Sequence, residues 1–136
     1  MKLCDTSVLV DIDRGGVTER VRKLDDEGRH AISAVTVTEL RHGVNKRYED
    51  EASRQDALEE LERLLARFDL VDIDRAVSTA AADIITSLQR QGKPLHDLHD
   101  VYVGATATVE QVPVLTANVD HFERMDAVSV ADWTTY

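Results

Sequence analysis

The sequence predicts an α/β fold, a three-layer α/β/α sandwich with a central, mostly parallel sheet of four to five strands. Three observations predict it. Short apolar segments alternate with longer helical ones, as they do when parallel strands are joined by crossover helices. The length of 136 residues is typical of one domain. The hydrophobic fraction of 43% is enough for a core on both faces of a sheet. We therefore expect a single domain over residues 1–136.

In the first half of the chain, glycine and hydroxyl residues mark where helices end and begin. Gly15 and Gly28 each follow a helical segment, and Ser33 or Thr36 is available to cap the helix after the second strand. The next two helices carry apolar residues at spacings of three and four, the period of one helix face. The predicted elements are a strand at 2–5, helices at 6–13 and 17–27, a strand at 30–33, a helix carrying Val37, Leu40 and Val44, and a helix at 51–68 carrying Leu58, Leu61, Leu65 and Phe68.

The second half repeats this alternation and contains a helix that is apolar on most sides. We expect this helix, at 96–110, to lie buried at the centre of the fold, and the helix before it to stop at Gly92 and Pro94. We expect Trp133 and Tyr136 to cover an edge of the sheet. The predicted elements are a strand at 70–73, a helix carrying Val77, Ala81, Ile84 and Leu88, the helix at 96–110 with Val101, Val103, Ala105, Ala107 and Val109, and strands at 112–115 and 127–130.

The charge balance argues against two function classes. The chain has 26 Asp and Glu against 16 Lys and Arg, a net charge of -10. This balance disfavours a general basic nucleic-acid binder and a polybasic membrane-surface protein. Strong acidity with only four lysines suggests a salt-rich cytosol, a hypothesis that unfolding in a KCl series can test. With one cysteine, no long apolar run and no leader pattern, we expect a cytoplasmic protein without a membrane segment.

Several acids fall where α/β folds build their sites, outside the carboxyl ends of the strands. Asp5 ends the first strand, and Glu39 lies on the shoulder of an apolar helix stripe. Asp97 and Asp100 share one face at the start of the buried helix. Four chain segments thus carry the candidate oxygen ligands, which are Asp5, Glu39, Asp97 with Asp100, and Asn118 with Asp120.

Such a cluster suits one kind of chemistry. Carboxylates that are gathered and desolvated repel one another, so a convergent set needs a cation. All-oxygen ligands favour Mg²⁺, with Mn²⁺ as a plausible substitute, over zinc. A divalent ion can activate water and neutralise a phosphate, so phosphodiester hydrolysis is the natural reaction.

Other interpretations remain open at this stage. His96, Asp97, His99 and Asp100 form a possible transition-metal patch, and Asp11-Ile12-Asp13 is similar to the D-x-D of haloacid-dehalogenase-type phosphatases if the preceding run is a strand. Part of the leucine-striped helix pair can form a groove for a partner helix. Cys4, within a strand, is expected to be a core residue and not a nucleophile.

Four motifs in register resemble those of PIN-domain ribonucleases, and their order and spacing are similar to the VapC toxins of VapBC toxin–antitoxin systems. The resemblance covers essentially the whole chain. The motifs are Asp5-Thr6-Ser7 with the apolar turn after it, Thr38-Glu39-Leu40-Arg41-His42-Gly43, Gly92-Lys93-Pro94-Leu95 followed by Asp100 to Ala107, and Val114 to Glu123.

The resemblance implies a PIN-like fold and a Mg²⁺-dependent endoribonuclease that silences translation. It implies that Asp5 and Asp100 are the principal metal ligands, that Glu39 binds the metal or orients a water, and that Asp97 supports the metal or its water shell. Many relatives have a fourth acid at the position of Asn118, so the number of ions, one or two, stays open. The stretch between Pro94 and Asp100 is one residue longer than usual. Supporting roles fall on Thr6, Ser7, Thr116, Asn118 and Asp120.

The resemblance also implies partners. These are an RNA substrate, a second copy of the chain in a homodimer, and a VapB-type antitoxin whose C-terminal segment reaches over the site. An arginine from that segment can neutralise the acids and displace the metal. Direct, sequence-specific DNA binding then belongs to the antitoxin, in keeping with the acidity of this chain. The alternative is a catalytically weak or inactive PIN-like module that binds a partner without cleaving.

Overall fold

The computed structural model describes residues 1–94 and 97–136, and within them five short strands form one all-parallel sheet. The strands lie in the order β3-β2-β1-β4-β5, so that β1 is central. Seven helices in the described residues connect and cover them. The strands are β1 (Leu3–Cys4), β2 (Ala31–Ser33), β3 (Asp69–Val71), β4 (Val114–Thr116) and β5 (Val130–Asp132); the helices are α1 (Thr6–Arg14), α2 (Thr18–Asp26), α3 (Ala34–Arg47), α4 (Glu51–Leu65), α5 (Arg75–Arg90), α6 (Leu98–Glu110) and α7 (Val119–Glu123).

The strand order creates a switch point between β1 and β4. The chain adds β2 and β3 on one side of β1, then returns to place β4 and β5 on the other side. Leu3 pairs with Ala31 in β2 and with Val114 in β4. The loops that leave β1 and β4 therefore diverge at their carboxyl ends and open a crevice, which is where ligands bind in open α/β sheets.

Alternating strand residues feed two cores, one on each face of the sheet. Leu3 and Val114 belong to the core that packs against α5 and α6, whereas their neighbours Cys4 and Leu115 belong to the core beneath α1 and α2. This alternation follows from the two-residue period of a strand. The three-layer α/β/α sandwich predicted from the sequence is therefore confirmed, and the buried Cys4 is a core residue as expected.

Several element boundaries differ from the sequence prediction. The strands are only two or three residues long, and β3 and β5 are offset from the predicted segments. The helix predicted at 51–68 ends at Leu65, and its buried face carries Leu64 in place of Leu65. Val109, predicted to be buried, is 36% exposed. Trp133, which directly follows the edge strand β5, is fully buried in the core beneath α1 and α2, and its indole Nε1 donates to Asp11 Oδ2 at 3.1 Å.

The helix N-termini explain part of the acid surplus. Ser33, and not Thr36, caps α3, since its hydroxyl accepts a hydrogen bond from Val35 N–H. Aspartates cap α1, α4, α5 and α6, where a carboxylate accepts orphan N–H groups and complements the helix dipole. The helix predicted from residue 96 is described from Leu98, with Asp97 as its cap. Among the described residues, none of the helices has the length and apolar character required to cross a bilayer.

Candidate active site

Asp5 lies at the switch point, directly after the central strand β1. It is 5% exposed and caps α1, so that its carboxylate is held over the carboxyl end of the sheet. Its main-chain N–H donates to Leu115 O at 3.0 Å, which ties the residue to β4. This position follows from the sequence. Asp5 directly follows an apolar strand and its carboxylate caps the next helix, so the side chain is fixed at the carboxyl end of the sheet.

Two hydroxyl groups donate hydrogen bonds to the Asp5 carboxylate. Each of them also accepts a hydrogen bond from a main-chain N–H group in the loop after β4. The Ser7 hydroxyl donates to Asp5 Oδ1 and accepts from Ala117 N–H at 3.0 Å. The Thr116 hydroxyl donates to Asp5 Oδ2 at 2.7 Å and accepts from Asn118 N–H at 2.8 Å. The predicted supporting residues Ser7 and Thr116 therefore join the two strands that flank the switch point.

Glu39 reaches the same crevice from α3. The Thr6 hydroxyl donates to Glu39 Oε1 at 3.0 Å, and His99 Nδ1 lies 3.7 Å from Glu39 Oε2. The side chain is 25% exposed. Its place on the shoulder of the apolar stripe, as predicted, lets the helix pack while the carboxylate faces the N-terminal turn of α1.

The start of α6 contributes two further acids and brings in a histidine from α7. Asp97 caps the helix by accepting from His99 N–H at 2.8 Å, and its side chain is 46% exposed. Asp100, one turn on, is 20% exposed, and its Oδ2 lies 2.9 Å from His121 Nδ1. The sequence predicts no role for His121, because α7 has five residues, too few to produce a periodic pattern.

These side chains line one cavity of about 290 Å³, which we call the acid cavity. Among the described residues that line it there is no Lys or Arg, so histidine is the only basic type. Asp11 also lines this cavity, whereas the predicted Asp120 does not: it is exposed and lines a neighbouring cavity. The polar lining of the acid cavity consists of Asp5, Thr6, Ser7, Asp11, Glu39, Asp97, Asp100, Asn118 and His121.

Burial raises the pKa of three of these acids, and repulsion by neighbouring carboxylates adds to the effect for two of them. Burial raises the pKa of Asp5, opposed by the hydrogen bonds from Ser7 and Thr116. It also raises the pKa of Glu39 and of Asp100. The charge of Asp97 raises both of the latter further. Acids that are costly to ionise together in one cavity are those that a bound cation would stabilise.

The donor set fits a divalent cation in type, and each acid is engaged by a protein neighbour in this arrangement. Carboxylate and amide oxygens are the ligands that Mg²⁺ and Mn²⁺ prefer. Within the described residues, no three His, Cys, Asp or Glu side chains lie close enough to hold an ion as they stand. Binding therefore requires small side-chain movements, for which Glu39 and Asp100, each held by one side-chain hydrogen bond, have more freedom than Asp5.

The structure does not provide the arrangement that either alternative interpretation of the sequence requires. The dehalogenase-like interpretation needs a strand before Asp11, but residues 6–14 form α1. The transition-metal interpretation needs at least three ligands that lie close together, and the described residues contain no such group of His, Cys, Asp or Glu side chains; His96 lies outside the described residues.

The fold and the site together define a class, the parallel α/β sandwiches with a crevice at the switch point that is lined by carboxylates. The PIN domain family matches residues 2–128. Ribonuclease VapC1 from Methanocaldococcus jannaschii is 30% identical over 123 residues, which are 90% of this chain and 79% of that protein. The chain therefore belongs to the PIN domain family, and within it is similar to the VapC ribonucleases.

Solved structures agree with this assignment. A chain in the structure of VapBC-1 from nontypeable Haemophilus influenzae superposes with a TM-score of 0.85, covering 98% of both chains, at 18% identity, which speaks for the fold. A chain of VapBC-5 from Mycobacterium tuberculosis, described as a member of the VapBC family of toxin–antitoxin systems, superposes with a TM-score of 0.71. It is 25% identical and is covered to 97% by 96% of this chain.

Proposed function

We propose that this chain is a divalent-metal-dependent endoribonuclease, with Mg²⁺ as its natural ion, that acts as a translation-inhibiting toxin. The observation that carries the proposal is the acid cavity, which is lined by Asp5, Asp11, Glu39, Asp97 and Asp100 and has no Lys or Arg among its described lining residues. The VapC ribonucleases among its relatives support the choice of RNA as the substrate.

In this proposal Asp5, Asp100 and Glu39 hold the ion, and Asp97 acts on its water shell. When bound, the ion supplies an activated water and neutralises charge on the phosphate. Asp5 provides a fixed point, because Ser7 and Thr116 hold both of its oxygens. A preorganised carboxylate does not have to be reoriented during the reaction.

The other side chains of the cavity have positioning roles in the proposal. Thr6 orients Glu39 by donating to its Oε1, and His121 holds Asp100 through Oδ2. The Asn118 side chain makes no capping hydrogen bond to α7, so its amide is available to a phosphate oxygen or a water. Asp120 is left out of this assignment, because it lines a different cavity.

Cleavage of RNA with and without Mg²⁺ or Mn²⁺ tests the proposal. We expect Asp5→Asn and Asp100→Asn to lower kcat/KM by roughly a hundredfold or more, since even residues that merely support metal ligands cost 10- to 100-fold. Asp56→Asn, an exposed acid on α4, is the matched control and should retain full activity. Equal activity in all variants would disprove the site. No activity in any protein, with antitoxin binding intact, would favour the inactive partner-binding module.

We further propose that a VapB-type antitoxin docks in an apolar groove beside the acid cavity. The groove, of about 260 Å³, lies between α1, α3 and α4 and shares Thr6 and Glu39 with the acid cavity. Its apolar lining suits one face of an amphipathic helix. A basic side chain at the end of that helix would meet Glu39 and the acids beyond it. The apolar lining comes from Leu9, Val10, Leu40, Val44, Leu61 and Leu64.

Gly43 allows this docking to be separated from catalysis. It lines the groove, and a Cβ added there meets nothing within 4 Å, so a large side chain fits the fold but fills the groove. We expect Gly43→Phe to abolish copurification with a coexpressed VapB antitoxin while RNA cleavage is retained. Lys46→Phe, on α3 but outside the groove lining, is the matched control. Unchanged copurification of Gly43→Phe would exclude the groove as the antitoxin site.

Three further expectations stay predictions. The homodimer can be checked by light scattering of the purified chain, and the cytoplasmic location by fractionation. The absence of sequence-specific DNA binding by this chain alone can be checked by a gel-shift titration without antitoxin.

A further inference from the structure

A second cavity adjoins the acid cavity and differs from it in charge. It has a volume of about 530 Å³, within the size range of ligand sites, and we call it the cation cavity. Asp97, Asp100 and His121 line both cavities and form the wall between them. Lys93, after α5, and Arg124, directly after α7, line the cation cavity but not the acid cavity.

The two cations are held by main-chain oxygens. Lys93 Nζ donates to Arg124 O at 3.1 Å, and the Arg124 guanidinium donates to the carbonyl of Pro94. Six other Lys and Arg side chains pair with carboxylates. In the described part of the chain, no ion pair joins Lys93 or Arg124 to an acid. Their charge is therefore not cancelled by a paired carboxylate.

Part of the remaining lining is apolar, next to the aspartates and His121. Leu88, Val101 and Met125 line the cavity, each less than 5% exposed. An apolar surface next to a cationic rim matches a nucleotide, whose base has an apolar face and whose phosphate is anionic. A free inorganic anion would use only the rim, so the apolar surface favours a nucleotide unit of a strand.

We propose that the cation cavity binds the nucleotide next to the scissile phosphate, with Lys93 and Arg124 on its phosphate and its base against the apolar part of the lining, where Pro94 is exposed. The inference rests on the proposed ribonuclease function and extends it with a subsite and two positioning residues. The shared wall sets the scissile phosphate and its neighbour on opposite sides of Asp100. The subsite also explains how a chain of net charge -10 takes hold of a polyanion, since it supplies cations where the strand crosses the acids.

The acids in the same cavity add a condition. Asp97 and Asp100 belong to the wall, so their repulsion of the strand falls once a divalent ion occupies the acid cavity. Binding of RNA should therefore need a divalent cation. Asp120 lines the cation cavity without being part of the wall, so Asp120→Asn should tighten RNA binding.

Binding of a fluorescent single-stranded oligoribonucleotide, measured by anisotropy across a KCl series in Ca²⁺, tests the subsite. Each phosphate contact to a single strand contributes about 0.7 to the slope of log K against log salt. We expect Lys93→Ala and Arg124→Ala each to weaken binding roughly tenfold and to reduce that slope by about 0.7. Lys46→Ala and Arg75→Ala, cations outside both cavities, are the matched controls and should change neither quantity.

A second set of measurements separates a phosphate contact from a structural clamp. With Mg²⁺, Lys93→Ala should raise KM and leave kcat within about twofold, and Lys93→Arg and Arg124→Lys should keep the slope. Weaker binding with an unchanged salt slope, or binding equal to that of the controls, would overturn the subsite. Wild-type protein that binds RNA with the expected slopes but cleaves none would retain the subsite and refute the ribonuclease function.

Discussion

Thr116 and Asp5, 111 residues apart in the sequence, share a hydrogen bond of 2.7 Å at the centre of the candidate active site. The Thr116 hydroxyl donates to Asp5 Oδ2 and at the same time accepts from Asn118 N–H. Both Thr116 and Asp5 are buried. The Thr116 side chain therefore holds both the carboxylate of Asp5, directly after β1, and the loop that leaves β4.

Replacing Thr116 with valine should show how much the hydrogen bonds of its hydroxyl contribute to the free energy of unfolding. Valine keeps the shape but leaves Asp5 without one donor and Asn118 N–H without its acceptor. We expect Thr116→Val to lower the free energy of unfolding by about 1–3 kcal/mol, measured by urea denaturation. Thr86→Val, an exposed threonine that bonds only to Ala82 O in its own helix, should stay within about 0.5 kcal/mol of wild type. Equal losses in the two variants would contradict the link.

A divalent ion should stabilise the folded chain, because it binds acids that are brought together only on folding. At a concentration 100 times its Kd, an ion adds about 2.7 kcal/mol to the free energy of unfolding. We expect Mg²⁺ or Mn²⁺ to raise the Tm of wild type, EDTA to remove the gain, and Asp100→Asn to show little of it. An ion-induced shift as large in Asp100→Asn as in wild type would place the binding elsewhere.

Two helical glycines should respond oppositely to alanine. A Cβ at Gly104, in α6, meets Met125 Sδ at 2.8 Å and Val128 Cγ2 at 3.1 Å, whereas one at Gly43 meets nothing within 4 Å. We expect Gly104→Ala to destabilise the protein by about 1–3 kcal/mol through overpacking. Gly43→Ala should stabilise it by about 0.5–1 kcal/mol, since alanine loses less backbone entropy in a helix. The reverse order in thermal or urea unfolding would contradict this account of α6 packing.

His30 should make stability fall in mild acid. It is 3% exposed, accepts Lys2 N–H at Nδ1, and lies with Nε2 3.0 Å from Leu24 O. Burial lowers its pKa from the ordinary value. The unfolded chain therefore binds the proton more readily, and the stability contributed by neutral His30 is lost as pH falls below about 6.5.

The comparison of wild type with His30→Gln isolates this effect. The difference between their free energies of unfolding should shrink as pH is lowered from 7.5 to 5. Only wild type has an imidazole that the folded state keeps neutral while the unfolded state protonates it. A difference that stays constant, or grows in acid, would contradict the assignment. Using the difference cancels the contributions of Asp5, Glu39 and Asp100, which are common to both proteins.

Much of the fold could be predicted because its signals are local. The stripe from Val77 to Leu88 predicted α5, and glycine and hydroxyl residues predicted most helix ends. The strands were harder, because two or three residues carry no periodicity of their own and their limits depend on pairing. The sequence pattern also fails to distinguish Leu64 from Leu65. Both residues fit a helical stripe, and only the packing of α4 determines that Leu64 is the buried one.

The site was predictable as far as its acids follow recognisable elements. Asp5, Glu39 and Asp100 are brought to one cavity, and their roles stay predictions. His121 was missed since its helix is too short for a pattern and only the folded chain shows it next to Asp100. Asp120 lines the neighbouring cavity instead of the acid cavity, because two residues after Asn118 the chain has already turned into α7; its predicted supporting role stays a prediction.

The central position of β1 has a consequence for the timing of synthesis. β1 is made well before β4, with which it pairs, and Asp5 gains the Thr116 hydroxyl as a partner only after β4 has been made. A growing chain that has not reached Thr116 therefore lacks a formed acid cavity, whatever else has folded. The proposed metal site would therefore be complete only after Thr116 has been made and can reach Asp5.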